Sequence, residues 1–425
     1  MANSTAPRCA GTGPRRIERH EADGADPPEF AAQTGALTIA GRSAETWMEG
    51  REGPVFVYDL AIVASRVARF RAAFPSIDLH YAIKANPFVP LLAAMAAMVD
   101  GFDVASAGEL AKVAPLGKPV SFAGPGKRDA ELTAAVRAGV TINLESEGEA
   151  RRALAISEGL GVRPRLAVRV NPDVELRGSG MKMGGRPSPF GIDAERVPPL
   201  VRDLIAAGAD WRGFHIYAGS QALDPQAIID TQGATIALAA RLADAAGAPP
   251  PLVNLGGGFG VPYFAGDKPL PVETVGAALE QALAERPAIL GDSRFAIELG
   301  RWLVAESGVY LARVIDRKDS GGETFLILDG GLHHQLAASG NFGTVVRRNY
   351  PLAVAHAMGA EPVETVSVVG PLCTPLDRLG DRVALPVAQV GDIVAVFLAG
   401  AYGATASPSA FLGHPPAAET LGAPA

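Results

Sequence analysis

From residue 79 to residue 301 the chain repeats one unit. A short apolar, β-branched stretch ends in a polar or glycine cluster, and an alanine-rich helical stretch usually follows. The pattern predicts strands over residues 79–83, 101–104, 120–123, 141–144, 165–170, 213–217, 252–255 and 295–299. Helices are expected between them, among others over 90–98, 107–114, 130–138 and 148–158. Eight such units in series, with no hairpin signal, predict a closed (β/α)8 TIM barrel in the α/β class. A doubly wound open sheet is the alternative, but it needs a topological switch point that the pattern does not contain.

The character changes after residue 301. Strands are expected over 304–314, 324–328, 365–369, 382–387 and 393–398, separated by Gly-Asp and Gly-Gly turns, with one helix over 351–358. A further short strand is expected over 37–41. The division that follows is a barrel over 55–300 and a second, β-rich domain (sandwich- or barrel-like) built from 36–54 and 301–425. Residues 1–35 are small, polar and rich in proline and glycine, without the apolar core of a secretory signal, and are expected to form a disordered tail. A net charge of −7 with no basic block argues against nucleic acid or an anionic membrane as partner. No run of eighteen apolar residues is present. The two cysteines, Cys9 and Cys373, form neither a disulfide framework nor a metal-ligand spacing, which suits a reducing cytoplasm and a site without metal.

In a barrel the carboxyl ends of all eight strands open on one mouth. Here they carry Lys84, Asp103 with Ser106, Gly124 with Gly126, Glu145, Arg169 with Asn171, His215 with Ser220, Gly256-Gly257-Gly258, and Glu298 with Arg301. Loop polarity explains a serine or an aspartate at a strand end. It does not readily explain Lys, Arg, His and Glu, each following an apolar strand. Burial at the mouth is expected to lower the pKa of Lys84, and a neutral lysine amine is the nucleophile that condenses with an aldehyde. The glycine run, Gly300-Arg301 and Gly219-Ser220 are candidate phosphate holders. Glu298 suits a partner for a protonated ring nitrogen, and His215 suits a ring that stacks on the same group. A lysine, a phosphate cradle, a carboxylate and a stacking ring are the requirements of pyridoxal 5′-phosphate.

The motifs Tyr-Ala-Ile-Lys-Ala-Asn (81–86), Gly-Phe-Asp-Val-Ala-Ser (101–106), Gly-Gly-Gly-Phe (256–259), Glu-Leu-Gly-Arg (298–301), Gly-Pro-Leu-Cys (370–373) and Gly-Ala-Tyr (400–402) resemble the fold-type III decarboxylases. That family includes the ornithine, arginine and diaminopimelate decarboxylases, and the order of motifs matches over about residues 36–415. The stretch 402–415 resembles a narrower branch, which holds exosortase-associated decarboxylases and a carrier-protein-linked glutamyl decarboxylase. The resemblance implies a homodimer with shared active sites. It makes Lys84 the Schiff-base lysine, Glu298 the partner of the pyridine nitrogen and His215 the stacking ring. Ser220, Gly257, Gly258, Gly300, Arg301 and Tyr402 would hold the phosphate, with Asp103 and Arg169 in the same pocket. Cys373 would reach the neighbouring subunit's site and return a proton to the product carbon.

Three departures from the family pattern stand out. His215-Ile-Tyr-Ala-Gly-Ser220 is two residues longer than the common His-Val-Gly-Ser. Leu299 replaces a proline before Gly-Arg. Thr374 follows Cys373 where diamine-producing relatives carry an acid, so Thr374, Asp377 and Tyr402 are the expected substrate-facing residues, with Asp377 a partial substitute for the missing charge. His333-His334-Gln335-Leu336 stands where diaminopimelate enzymes carry an arginine, and Arg347-Arg348 offers positive charge instead. The implied activity is decarboxylation of an amino acid, free or bound to an acyl or peptidyl carrier protein. The alternatives are a racemase on the same barrel, disfavoured by Glu298, and a cofactor-free binding protein, which has no use for Lys84, Glu298, Arg301 and Cys373 together.

Overall fold

A computed structural model describes residues 29–172, 181–182, 187–340 and 348–423. Eight parallel strands close a barrel in chain order: Ile77–Ala82, Gly101–Val104, Val120–Phe122, Thr141–Leu144, Arg165–Asn171, Asp210–Ile216, Leu252–Asn254 and Arg294–Leu299. The eighth pairs with the first, setting Glu298 opposite His80 and Leu299 opposite Tyr81. The expected barrel is therefore present, and the open sheet is not. Burial follows the alternation of the strands. Leu79 and Tyr81 pack outward against the helices, while His80 and Ala82 face the interior in register with Gly101 and Asp103.

The helices start where the sequence offers caps. Ser106 Oγ accepts from Glu109 N at 3.1 Å, Ser146 Oγ from Glu149 N at 3.1 Å, and Asp224 Oδ1 from Gln226 N at 2.9 Å. Ser106, expected at the mouth beside Asp103, is thus the N-cap of Ala107–Val113.

The second unit is a β-rich sheet in the order Leu352–Val354, Ile393–Val396, Gly308–Ser320, Glu323–Leu328, Glu364–Val369, Arg378–Leu385. Three local expectations change. Residues 301–307 are helical turns, so the long strand starts at Gly308 rather than 304. Residues 351–358 are not a helix: Leu352–Val354 is an edge strand paired antiparallel with Ile393–Val396, and this stretch is too short for helical periodicity to be decisive. The strand that carries the N-terminal part into this sheet is Val55–Asp59, which pairs with Gly308–Leu311 on one side and Ala418–Gly422 on the other. It falls in the range expected for the barrel. The shorter 37–41 strand makes only a two-residue hairpin, Thr38–Ile39 with Arg42–Ser43. Of the expected tail, residues 1–28 lie outside the described residues. Residues 29–35 are docked: Phe30 is buried with its ring 5.3 Å from that of Phe397, and Gly35 N donates to Met358 O at 2.9 Å.

At Gly257 the glycine run meets the eighth strand. A Cβ there would sit 1.9 Å from the carbonyl oxygen of Glu298, so glycine is required by close approach of two backbones. Gly257→Ala should therefore destabilise the protein by about 3 kcal/mol in denaturant unfolding. Gly233→Ala, mid-helix with nothing within 4 Å, should be neutral or slightly stabilising. Equal stability of the two variants would show that the seventh-strand loop adjusts freely.

Candidate active site

Lys84 lies in a one-turn 3-10 segment, Ile83–Ala85, directly after the first strand. Asn86, extended before Pro87, ends the turn. Tyr402 N donates to Ala85 O at 2.8 Å, and Asn86 Nδ2 donates to Gly400 O at 3.0 Å, so the second unit grips this turn from above. Lys84 Nζ stands 5.7 Å from the ring centre of Tyr217. The expected fall in its pKa is not found. Desolvation does pull it down, but the fields of Tyr217, Tyr402 and Glu298 outweigh that, and the pKa lies above the ordinary lysine value. The amine is charged here and must lose its proton before it acts as a nucleophile.

Glu298 is buried in the barrel. His215 Nε2 donates to its Oε2 at 3.0 Å and Asn254 Nδ2 approaches the same oxygen at 3.4 Å. Burial alone would raise its pKa, but His215, Lys84 and Arg169 bring it down to about 2. Glu298 is thus a carboxylate at any working pH. A second carboxylate–imidazole pair lies across the barrel floor: Asp103 Oδ2 is 3.5 Å from His80 Nδ1. Burial, then the Glu298 charge, raise the pKa of Asp103. Desolvation of His80 is overridden by Asp103, Asp78 and Glu298, which raise its pKa. The strand registers explain the grouping, since Glu298, His80, Asp103, His215, Asn254 and Arg169 all fall on interior positions.

Arg169 Nη1 bonds Glu145 Oε1 at 2.9 Å, and Glu145 also accepts from Gly124 N at 2.6 Å and Gly191 N at 2.8 Å. Glu145 is therefore a hub that fixes Arg169. At the opposite side of the mouth, Arg301 lies 4.8 Å from the ring centre of Tyr402 and 6.0 Å from that of Tyr263. Desolvation lowers its pKa less than the surrounding tyrosines raise it, so it is a fixed cation. Ser220 Oγ is buried with no hydrogen-bond partner, and Gly258 takes a φ of +86° while its carbonyl accepts from Ala222 N at 2.9 Å. An orphaned hydroxyl, a fixed guanidinium, a glycine backbone, an ionised carboxylate and a lysine amine around one mouth fit a phosphorylated pyridine aldehyde.

Two expectations need correction. His215 does not present a ring face to the mouth: it is 2% exposed and its edge is bonded to Glu298. Asp377 does not offer its charge to a substrate. Its Oδ1 accepts from Leu332 N at 2.6 Å and its Oδ2 from Leu372 N at 2.8 Å, in a buried corner against Gly331 and Gly370. Thr374 Oγ1 accepts from Leu376 N at 3.3 Å, beside an exposed Cys373. His334 is engaged by Tyr310 Oη at 3.0 Å and by the Pro415 carbonyl at 2.8 Å. Arg348 stacks on Phe264 at 4.0 Å, and Arg347 lies outside the described residues. Sequence reasoning missed the roles of His80, Tyr217, Asn254 and Tyr263. For His80 the signal was present, since it shares a strand face with Ala82 two residues short of Lys84.

A family model described as the pyridoxal-dependent decarboxylase, pyridoxal binding domain, matches residues 60–305. The L-glutamyl-[BtrI acyl-carrier protein] decarboxylase of Niallia circulans is 37% identical over 87% of this chain and 89% of its own length. The diaminopimelate decarboxylase of Archaeoglobus fulgidus is 32% identical over 92% of this chain and 93% of its own length. Among solved structures, diaminopimelate decarboxylase of Helicobacter pylori complexed with L-lysine superposes with a TM-score of 0.78 at 25% identity, covering 89% of this chain and 93% of that one.

Asp377→Asn places an amide N–H against one of two backbone donors. It should cost about 2 kcal/mol of stability while leaving the ratio of kcat/KM between diamino and other amino acids unchanged. A selective loss of activity toward diamino acids would return Asp377 to the substrate site.

Proposed function

This chain belongs to the pyridoxal-dependent decarboxylase family, and from that premise we propose that it removes carbon dioxide from an amino acid whose side chain carries no distal ammonium, presented on an acyl-carrier protein. Membership makes the protein an amino-acid decarboxylase that uses pyridoxal 5′-phosphate. When bound, the cofactor supplies an electron sink for the pair left on the α-carbon as carbon dioxide departs. Lys84 Nζ, once it has given up its proton, would be the amine that holds the cofactor's aldehyde end. Glu298, beside His215, would hold a proton on the ring nitrogen. Ser220, Gly258, Gly300, Arg301 and Tyr402 would hold the phosphate, and Gly257 sets the glycine run against the eighth strand. Arg169, fixed by Glu145, and Asp103, paired with His80, face the same cavity. A negative charge at Glu298 also supports decarboxylation over racemisation, because it favours the protonated ring.

The observation that carries the substrate reading is the Cys373–Asp377 turn. Thr374 is neutral and Asp377 is bound to backbone amides, so this turn has no charge for a second ammonium. The relative named for an L-glutamyl group on an acyl-carrier protein supports a carrier-bound substrate without a distal ammonium. A buried ammonium left unpaired costs several kcal/mol. Ornithine, lysine and meso-diaminopimelate should therefore show kcat/KM roughly a hundredfold or more below a carrier-bound glutamyl or aminoacyl thioester. Thr374→Asp should narrow that gap. Carbon dioxide release from wild-type protein with ornithine at rates matching the carrier-bound substrate would defeat this reading.

The working unit is a homodimer in which the partner subunit's Cys373 completes each barrel mouth. Exposure of Cys373 on a turn of the second unit supports this, as does the family. The cytoplasm is the compartment in which such a thiol stays reduced, and no helix among the described residues is long and apolar enough to cross a membrane. Lys84→Ala and Cys373→Ala chains should each be inactive alone. Mixed under conditions where subunits exchange, they should recover up to about a quarter of wild-type activity, because half of the dimers are mixed and each holds one intact site. No recovery despite measured exchange would rule out the shared site.

A further inference from the structure

The ring-stacking role assigned to His215 by resemblance has a better occupant. In the common His-Val-Gly-Ser pattern the histidine stands three residues before the serine. Counted back from Gly219-Ser220, that place is held by Tyr217, not His215. The two-residue excess then disappears, and what remains is a tyrosine in place of a histidine.

The geometry agrees with that count. The barrel's sixth strand ends at Ile216, so His215 is still inside the strand and points into the barrel floor. It is 2% exposed, leaving neither face open, and its Nε2 is taken by Glu298 Oε2 at 3.0 Å. Tyr217 is the first residue beyond the strand and is half-buried. Its ring centre lies 5.7 Å from Lys84 Nζ, and Lys84, Glu298, Tyr402 and Arg301 all act on its hydroxyl. These are the residues that would hold the reactive end, the ring nitrogen and the phosphate of the cofactor. The neighbouring loop makes room for the ring: a Cβ on Gly256 would fall 2.9 Å from Tyr217 Cδ2 and 2.7 Å from the Ile216 carbonyl oxygen.

The geometry points to Tyr217 as the residue whose aromatic face covers the cofactor's ring, with His215 confined to holding and orienting Glu298. Resting on the cofactor site described above, this inference adds a chemical consequence. An imidazole against the ring would titrate near neutral pH. A phenol whose pKa burial pushes up stays neutral throughout that range. The covering face of this enzyme is therefore indifferent to pH where a histidine would not be.

Apo protein titrated with pyridoxal 5′-phosphate, followed by the visible band of the bound cofactor, tests the assignment. Wild-type protein should bind. Tyr217→Leu, which keeps bulk without an aromatic face, should weaken binding roughly tenfold, and Tyr217→Phe should stay within about threefold of wild type. Tyr217→His should recover most of the affinity and make the band, or kcat/KM, titrate with an apparent pKa near about 6.5. His215→Gln keeps an N–H for Glu298 without a ring, and should weaken affinity less than Tyr217→Leu does. Thermal melting of each apo variant checks that it is folded, and the Phe, His and Gln variants decide the matter if the Leu variant is not. Tenfold weaker binding in His215→Gln with none in Tyr217→Leu would overturn the assignment. So would a Tyr217→His enzyme with no new ionisation. Failure of wild-type protein to bind the cofactor at all would instead overturn the cofactor site itself.

Discussion

Everything in the active site depends on the register in which the last barrel strand closes onto the first. Arg294–Leu299 lies beside Ile77–Ala82 with Glu298 opposite His80. Because side chains alternate with a period of two, a slip of one residue would turn Glu298 out among the helices and bring Leu299 inside. The same alternation, passed from strand to strand, places His80, Asp103, Arg169, His215 and Asn254 on one interior surface. The ring of strands thus converts residues scattered over roughly two hundred positions into one cluster of charges. Burying these carboxylates is offset by nearby cationic or polar partners: Glu298 is hydrogen-bonded to His215, Glu145 to Arg169, and Asp103 has His80 3.5 Å away.

Much of this was legible in the sequence because two simple periods carried it. Eight short apolar runs separated by alanine-rich stretches announce the barrel, and a charged residue at the end of an apolar run announces the mouth. Lys84, Glu298, Arg169, Asp103 and Arg301 were found in that way. The failures are of a different kind. Val55–Asp59 offers four apolar residues and an aspartate, and nothing in so short a run tells which sheet will accept it. Residues 351–358 offer too few turns for helical periodicity to be tested. Asp377 looked like a charge available for substrate, and only its two backbone donors show otherwise. Side-chain chemistry can be read from a letter, whereas prior commitments of that side chain cannot.

The second unit does more than cover the barrel. Tyr402 takes a φ of +56°, an uncommon conformation for a bulky residue, and from there its N–H holds Ala85 while its ring lies against Arg301. Gly400 accepts from the Asn86 side chain. One short segment thus touches both the lysine turn and the guanidinium that suits a phosphate. Strain at Tyr402 is maintained by these contacts on both sides, so the Lys84 turn and Arg301 are tied together by a residue remote from either in sequence.

The crossing of the chain between its two units has a consequence for synthesis. Val55–Asp59 emerges early, before any barrel strand, yet its two neighbours in the sheet are Gly308–Leu311 and Ala418–Gly422. During translation this segment has no strand to pair with until the whole barrel has left the ribosome, and its second edge stays open until Ala418–Gly422 follows. Closing loops of that length is slow, and an unpaired apolar strand is a site for wrong association in the interval. The barrel strands can pair among themselves while this sheet waits, and Ala418–Gly422 is the strand that covers the remaining edge of Val55–Asp59.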